Sequence, residues 1–205
     1  MYRDEVAGSL PEDAPPPLPG GADSEGIQTI EGAAGPLFHR RYRARIRESD
    51  LSPAELVAGM TARLDRVAPS EFAHFEKDGN EAEEDLEVGD EYTVKMAGPW
   101  DGPVRVIRRE PDSFRLVTLP GHLEAGQIEF RAREEDGLVV FEIESWARSS
   151  DRLTDLLYDH LRMSKEVQLH MWVSVLERVV ELSGGRLVEG LEIRTRKVPA
   201  EALDG

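Results

Sequence analysis

From Tyr92 to Arg148 the chain reads as one short strand after another, with no helical spacing between them. Strands are predicted at Tyr92–Ala97, Val104–Arg109, Phe114–Leu119, His122–Arg133 and Leu138–Trp146. Turn residues separate them: Gly98-Pro99 with Asp101-Gly102, Pro111-Asp112-Ser113, Pro120-Gly121 and Glu135-Asp136-Gly137. Strands joined by tight turns pair as an antiparallel meander. The next segment has a different period. Leu153, Leu156, Leu157, Leu161, Val167, Met171, Val175, Leu176, Val179 and Leu182 recur at three and four residues, after a Ser149-Ser150-Asp151 cap and before Gly184-Gly185. A helix from Asp151 to Ser183 would run about 50 Å at 1.5 Å per residue, enough to cross a whole sheet. A sheet with one apolar face needs a cover, and this helix is the element long enough to supply it.

Upstream, Phe38 to Arg47 alternates with period two. Phe38, Arg40, Tyr42, Ala44 and Ile46 share one face; His39, Arg41, Arg43, Arg45 and Arg47 share the other. The arginine face suggests either an anion site or, more plainly, a solvated face paired across the sheet to acids. Ser52, Pro53 and Glu55 then spell a capping box with proline at the first helical position, flanked by Leu51 and Leu56 as a hydrophobic staple. This helix is expected to reach about Val67. Ser70 is expected to cap a second short helix, Glu71 to Lys77, and Val188 to Arg196 to form a last strand.

The formal net charge of −16 is unevenly placed. Residues 1–40 and 76–91 hold most of it, so acidity describes a tail and a loop better than the body. Residues 1–36 contain six of the thirteen prolines and six of the eighteen glycines, and are expected to be a flexible extension. The domain is placed at 37–198, followed by a polar tail, 199–205. Acidity argues against a nucleic-acid backbone as partner. The absence of cysteine excludes disulfides and thiolate sites. With no apolar run long enough for a membrane span and no signal-peptide pattern, a cytoplasmic protein is expected.

The element order resembles the helix-grip fold of the lipid-transfer, Bet v 1 and polyketide-cyclase superfamily. The resemblance implies an α+β fold: a curved antiparallel sheet wrapped on one long C-terminal helix, two short helices after the first strand, and a cavity between sheet and helix. A narrower likeness lies in Thr118-Leu119-Pro120-Gly121-His122-Leu123-Glu124-Ala125-Gly126 followed by Glu129-Phe130. With Pro103-Val104-Arg105-Val106 upstream and Phe141 to Arg148, Tyr158, Arg162, Lys165 and Gln168 downstream, this resembles uncharacterised protein family 0548. That family is a domain of unknown function of bacteria and plants, and it supplies no catalytic residues to carry over.

Candidate site residues follow from parity and placement. If His122 opens a strand running through Phe130, then His122, Glu124 and Phe130 share the inner face, where an imidazole beside a carboxylate could anchor a ligand or act as an acid/base pair. The alternative is a turn in which both hydrogen-bond local backbone. Trp100 sits at a hairpin tip, where it either caps a cavity mouth or packs. Tyr158, His160, Ser164 and Gln168 flank or interrupt the apolar stripe of the long helix, where polar groups need partners from the sheet, water or a ligand. No metal-ligand spacing, phosphate loop or nucleophile elbow is present, so no metal or cofactor is expected. The leading expectation is a domain binding a small apolar or amphipathic molecule. A cyclase- or hydrolase-type enzyme using His122 and Glu124 is the second. A protein-interaction domain using the acidic loop 76–91 is the third.

Overall fold

A computed structural model describes residues 1–20, 26–62, 73–77, 85–96, 101–150 and 160–203. Its side chains are described except at 73–75, 77, 96, 101 and 160–167. The elements are β1 (Tyr2–Ala7), β2 (Ala34–Arg47), α1 (Pro53–Thr61), β3 (Ala73–Lys77), β4 (Glu91–Met96), β5 (Asp101–Glu110), β6 (Ser113–Thr118), β7 (Glu124–Glu135), β8 (Leu138–Ser149), α2 (His160–Leu182) and β9 (Arg186–Val198). Short 3-10 turns lie at Ile30–Gly32 and Ala200–Ala202. The strands form one sheet in the order β1-β9-β2-β8-β7-β6-β5-β4-β3. Among the described strand pairs only β1 against β9 is parallel. The run from β4 to β8 is the meander that the turn chemistry predicts; β3 extends it at one edge, and β2 and β9 close it on the other side.

The alternation of β2 is seen in its burial. Phe38, Arg40, Tyr42, Ala44 and Ile46 are buried, while His39, Arg41, Arg43 and Arg45 are half-buried on the opposite face. The capping box is formed as read: the Glu55 carboxylate accepts from the Ser52 backbone N–H at 2.9 Å and the Ser52 hydroxyl accepts from the Glu55 N–H. Gly184, at φ +67°, ends α2 where the Gly-Gly pair predicts.

Two expectations are corrected, and two helix bounds lie outside the described residues. The 1–36 segment is not simply an extension. Tyr2–Ala7 pairs with Glu192–Lys197, Asp13 is buried, and the Gln28 N–H donates to the Thr118 carbonyl at 2.9 Å. Residues 73–77, expected to be helical, form β3, because the backbone there pairs with β4 from Ala73↔Met96 to Lys77↔Tyr92. The first helix is assigned only to Thr61, and 63–72 lie outside the described residues, as do 151–159, the expected start of the long helix. The described part of α2 spans about 34 Å.

The core lies between the inner face of the sheet, α2 and α1. Phe114 and Phe130 stack at 4.6 Å between ring centroids, and Trp172 of α2 meets Phe130 edge-on at 5.6 Å. Val175, Leu176 and Val179 continue the α2 seam, and Leu56, Val57 and Met60 of α1 close this end. A second, smaller cluster on the outer face joins Leu37, Trp146 and Val198 with Ile30 and Leu203.

Candidate functional site

Register places the inner-face residues in rows. Tyr42, Ile143, Phe130 and Phe114 form one row across β2, β8, β7 and β6. The next holds Arg40, Ser145, Ile128 and Leu116, and the one after holds Phe38, Ala147 and Gly126, with Thr118 beside Gly126. Side chains therefore shrink at β8 and β7 along this direction, from Ile143 and Phe130 to Ser145, Ala147 and Gly126. Gly126 cannot be otherwise: a Cβ there would lie 1.9 Å from the Trp146 carbonyl oxygen.

Polar groups gather where the side chains become small. Arg40, only 6% exposed, places Nη1 3.4 Å from Glu124 Oε1 and its guanidinium carbon 4.7 Å over the Phe38 ring. Gln168 Nε2, from α2, donates to Glu124 Oε2 at 2.8 Å. The three side chains tie strand β2, the start of β7 and the long helix together. Tyr42 borders them, and burial first, then the Glu124 charge, pushes its phenol up to about 12, with Arg40 and Arg3 opposing. An inward carboxylate, a guanidinium and an amide offer acceptors and donors to a polar ligand end.

The Pro-Gly-His segment does a different job. His122 precedes β7 and lies in the turn, so the strand-parity expectation is corrected for this residue. Its Nδ1 is 2.9 Å from both the backbone N and the carbonyl O of Glu124, accepting from the N–H in the Nε2-protonated tautomer. The ring lies against Gly102 of β5, where a Cβ would come within 2.8 Å of it. Burial holds this imidazole below the ordinary histidine range, against the raising effects of the Glu124 carboxylate and of the backbone bond to Glu124. Gln28 locks the same turn from outside, donating from Nε2 to the His122 carbonyl at 3.0 Å and the Glu124 carbonyl at 3.2 Å. Thr118 Oγ1 donates to the Gln28 carbonyl and accepts from the Gly126 N–H. The motif from Thr118 to Gly126 is thus a backbone clasp that delivers the Glu124 side chain inward. The His122 ring contacts Glu124 backbone and Gly102, whereas the Glu124 carboxylate contacts Arg40 and Gln168; they are not bonded as one pair.

Of the other expected site residues, Phe130 is a core residue packed between Phe114 and Trp172. Trp100 and Tyr158 lie outside the described residues. His160 and Ser164 belong to α2, but their side chains are among those not described. In the acidic loop, residues 78–84 lie outside the described residues. Its far end is fixed to β5 by the Gly89 N–H donating to Val106 O and by Arg105 Nε donating to Glu91 at 2.8 Å. Arg40 was legible as an inward residue of β2, yet an isolated arginine on an apolar face carries no sign of its partner until β7 and α2 are in place.

The outer face is ionic. Glu142, with no exposed surface, accepts from Arg43 Nε at 2.9 Å and from Arg131. Glu144 accepts from Arg41 Nη2 at 2.8 Å and Arg131 Nη2 at 2.6 Å, and lies 2.7 Å from His39 Nε2. Burial alone would raise the Glu144 carboxyl; the His39 and Arg41 hydrogen bonds and the nearby guanidinium charges override it and bring it down to about 2. His39 Nδ1 is 2.8 Å from Asp13, and its ring stacks on Trp146 at 5.2 Å. The plainer reading of the arginine face, pairing across the sheet to acids, holds for Arg41 and Arg43.

Among solved structures, the chain is similar to the di-domain aromatase/cyclase StfQ of the steffimycin pathway, with a TM-score of 0.54 and 7% identity. That match covers 73% of this chain and 51% of the other, so this chain spans about half of the di-domain protein. It is similar also to major latex-like protein 151 of Panax ginseng, with TM-score 0.50, 12% identity, and coverage of 71% and 97%. Norcoclaurine synthase from Thalictrum flavum matches with TM-score 0.50, 10% identity, and coverage of 74% and 87%. These likenesses establish the helix-grip fold. No curated protein matches the chain by sequence. No helix among the described residues is long and apolar enough to cross a membrane. A family model matches residues 59–178, more than half of the sequence and including the whole Thr118–Gly126 clasp. The chain belongs to the family described as Domain of unknown function (DUF1990).

Proposed function

We propose that the protein binds a small apolar or amphipathic molecule between the sheet and the helix that covers it, at the Arg40–Glu124–Gln168 end. The observation that carries this reading is the coincidence of two features at one place: inner-face side chains reduced to Ser145, Ala147 and Gly126, and three polar groups from three elements converging on them. Space beside small side chains takes the apolar body, and the Arg40, Glu124 and Gln168 groups orient its polar end. The norcoclaurine synthase structure, which shares the fold, was solved with dopamine and hydroxybenzaldehyde; that supports small, ring-bearing molecules with polar substituents as the class of occupant. Trp100, Tyr158, His160 and Ser164 are assigned to the same cavity in this reading, together with Phe130 as its floor. The narrower label of family 0548, suggested by the clasp motif, belongs to the same proposal, as does a cytoplasmic location.

Catalysis by His122 and Glu124 as an acid/base pair gains no support from their placement, because the imidazole Nδ1 is occupied by the turn backbone. Docking through the acidic loop gains none either. Native mass spectrometry of freshly purified protein, followed by titration with an apolar fluorescent probe, tests binding. A retained small molecule or saturable probe binding that weakens in Glu124→Gln is expected. No bound species and no saturable binding would overturn the reading.

A further inference from the structure

We propose that the outer face of the sheet carries a second site, for a small oxyanion such as a phosphate or carboxylate group, built by Arg41, Arg194 and Arg196. The β2–β9 register sets Arg41 directly opposite Arg194 and His39 directly opposite Arg196. Like charges directly opposite on one sheet face are destabilising unless something of the other sign lies between them. Between these four side chains, Asp13 and Glu12 runs a groove of about 200 Å³.

The acids nearby do not use up the cations. Asp13 is 2% exposed and committed: one oxygen lies 2.8 Å from His39 Nδ1 and the other accepts from the Ser9 N–H at 2.8 Å. Glu144 meets His39 and Arg41 Nη2. Arg41 gives Nη2 to Glu144 at 2.8 Å, and its Nε, buried with no hydrogen-bond partner, lies 3.7 Å from Glu142 Oε2. Arg41 therefore lines the groove as a charge already shared with two carboxylates, while Arg194 and Arg196 supply the contacts. Arg194 Nε pairs with Glu192 at 2.5 Å, and its half-exposed side chain lines the groove. Arg196, 44% exposed, has Asp13 Oδ1 at 3.7 Å as its carboxylate neighbour, beyond hydrogen-bond reach. Guanidinium forks match the oxygens of phosphate and carboxylate, and a groove of this volume accepts either group with a few waters. Glu12 on the lining opposes the anion and limits its charge. This site faces away from α2, so it stands or falls independently of the ligand proposed for the inner face.

Isothermal titration calorimetry of the full chain with inorganic phosphate, and separately with acetate, provides the test. One-site saturable binding of at least one of them is expected, weakening as salt rises. The double variant Arg194→Gln/Arg196→Gln is expected to lose roughly tenfold or more in affinity, as removal of charge-assisted hydrogen bonds implies. Arg186→Gln, an exposed site on the same strand paired to Glu48, is expected to change nothing. Both altered side chains in the double variant are largely exposed, and an unchanged melting temperature without anion confirms its fold. Binding of phosphate alone assigns a phosphoryl ligand, and binding of acetate as well or instead assigns a carboxylate. No saturable heat with either anion, or equal affinity in the double variant, would overturn the proposal.

Discussion

The inner face of the sheet has two ends that differ in what fills them. At one, Phe114, Phe130 and Trp172 interlock and α1 adds Leu56, Val57 and Met60, so the space between sheet and helix is taken by side chains. At the other, the same strands β7 and β8 present Gly126, Ser145 and Ala147 around Ile128, and the covering helix presents Gln168 to Glu124 in place of an apolar seam. The sheet and the helix run through both ends unchanged. A fold of this kind can therefore separate stability from binding along one axis, with close packing holding helix to sheet at one end and leaving the other free to specialise.

That comparison can be broken most directly at the packed end. Phe130→Ala is expected to cost about 3–5 kcal/mol of unfolding free energy, read from the midpoint of urea denaturation, since it opens a cavity between Phe114 and Trp172. Probe affinity per folded molecule should change less than it does in Ser145→Leu, because Phe130 lies at the floor of the site, away from its polar end. At the other end, Ser145→Leu is expected to be nearly neutral for stability while reducing probe affinity roughly tenfold, because the added carbons take ligand space. If that end is as closely packed as the first, the same change costs about 1–3 kcal/mol instead. Glu124→Gln keeps the shape of the group but removes its charge and replaces one of its two acceptor oxygens, which face Arg40 and Gln168, with an NH2 donor. Because Arg40 is buried and loses its carboxylate, the change is expected to cost about 1–3 kcal/mol of stability while probe affinity falls.

Tyr42 sits on the packed row with Phe130 and Phe114, where it borders the polar end, and gives the smallest effect, a pH dependence. Its folded phenol titrates at about 12 against an ordinary 10.0. A raised folded value means the contribution is complete below pH 10.0 and is lost as pH rises toward about 12. Unfolding free energy should therefore fall across that window, and less so in Tyr42→Phe. An equal fall in both proteins would place the ionisation elsewhere.

Much of the fold was legible because it depended on local chemistry. The alternation of Phe38 to Ile46, the Ser52–Glu55 box and the turns at Pro111-Asp112 and Asp136-Gly137 act within a few residues, and the structure follows them. What escaped depends on distant partners. Tyr2–Ala7 is a strand only because β9, nearly two hundred residues later, offers an edge. Ala73–Lys77 carries helix-like capping signals upstream and is a strand because β4 pairs with it. In the candidate site, Glu124 and Gln168 were legible as inward polar groups, and the alternative of a turn for His122 was the one realised. The Arg40–Glu124 and Asp13–His39 contacts were not, since each joins a residue to a partner from a segment whose position no local pattern records.

Amide NMR chemical-shift mapping during titration with an apolar probe bearing a polar end group tests the central claim most directly. The account predicts saturable shifts concentrated at Arg40, Glu124, Gly126, Ser145, Ala147 and Gln168, with Phe114 and Val179 nearly unmoved. Shifts confined to the outer face, or spread without saturation over the whole sheet, would contradict it.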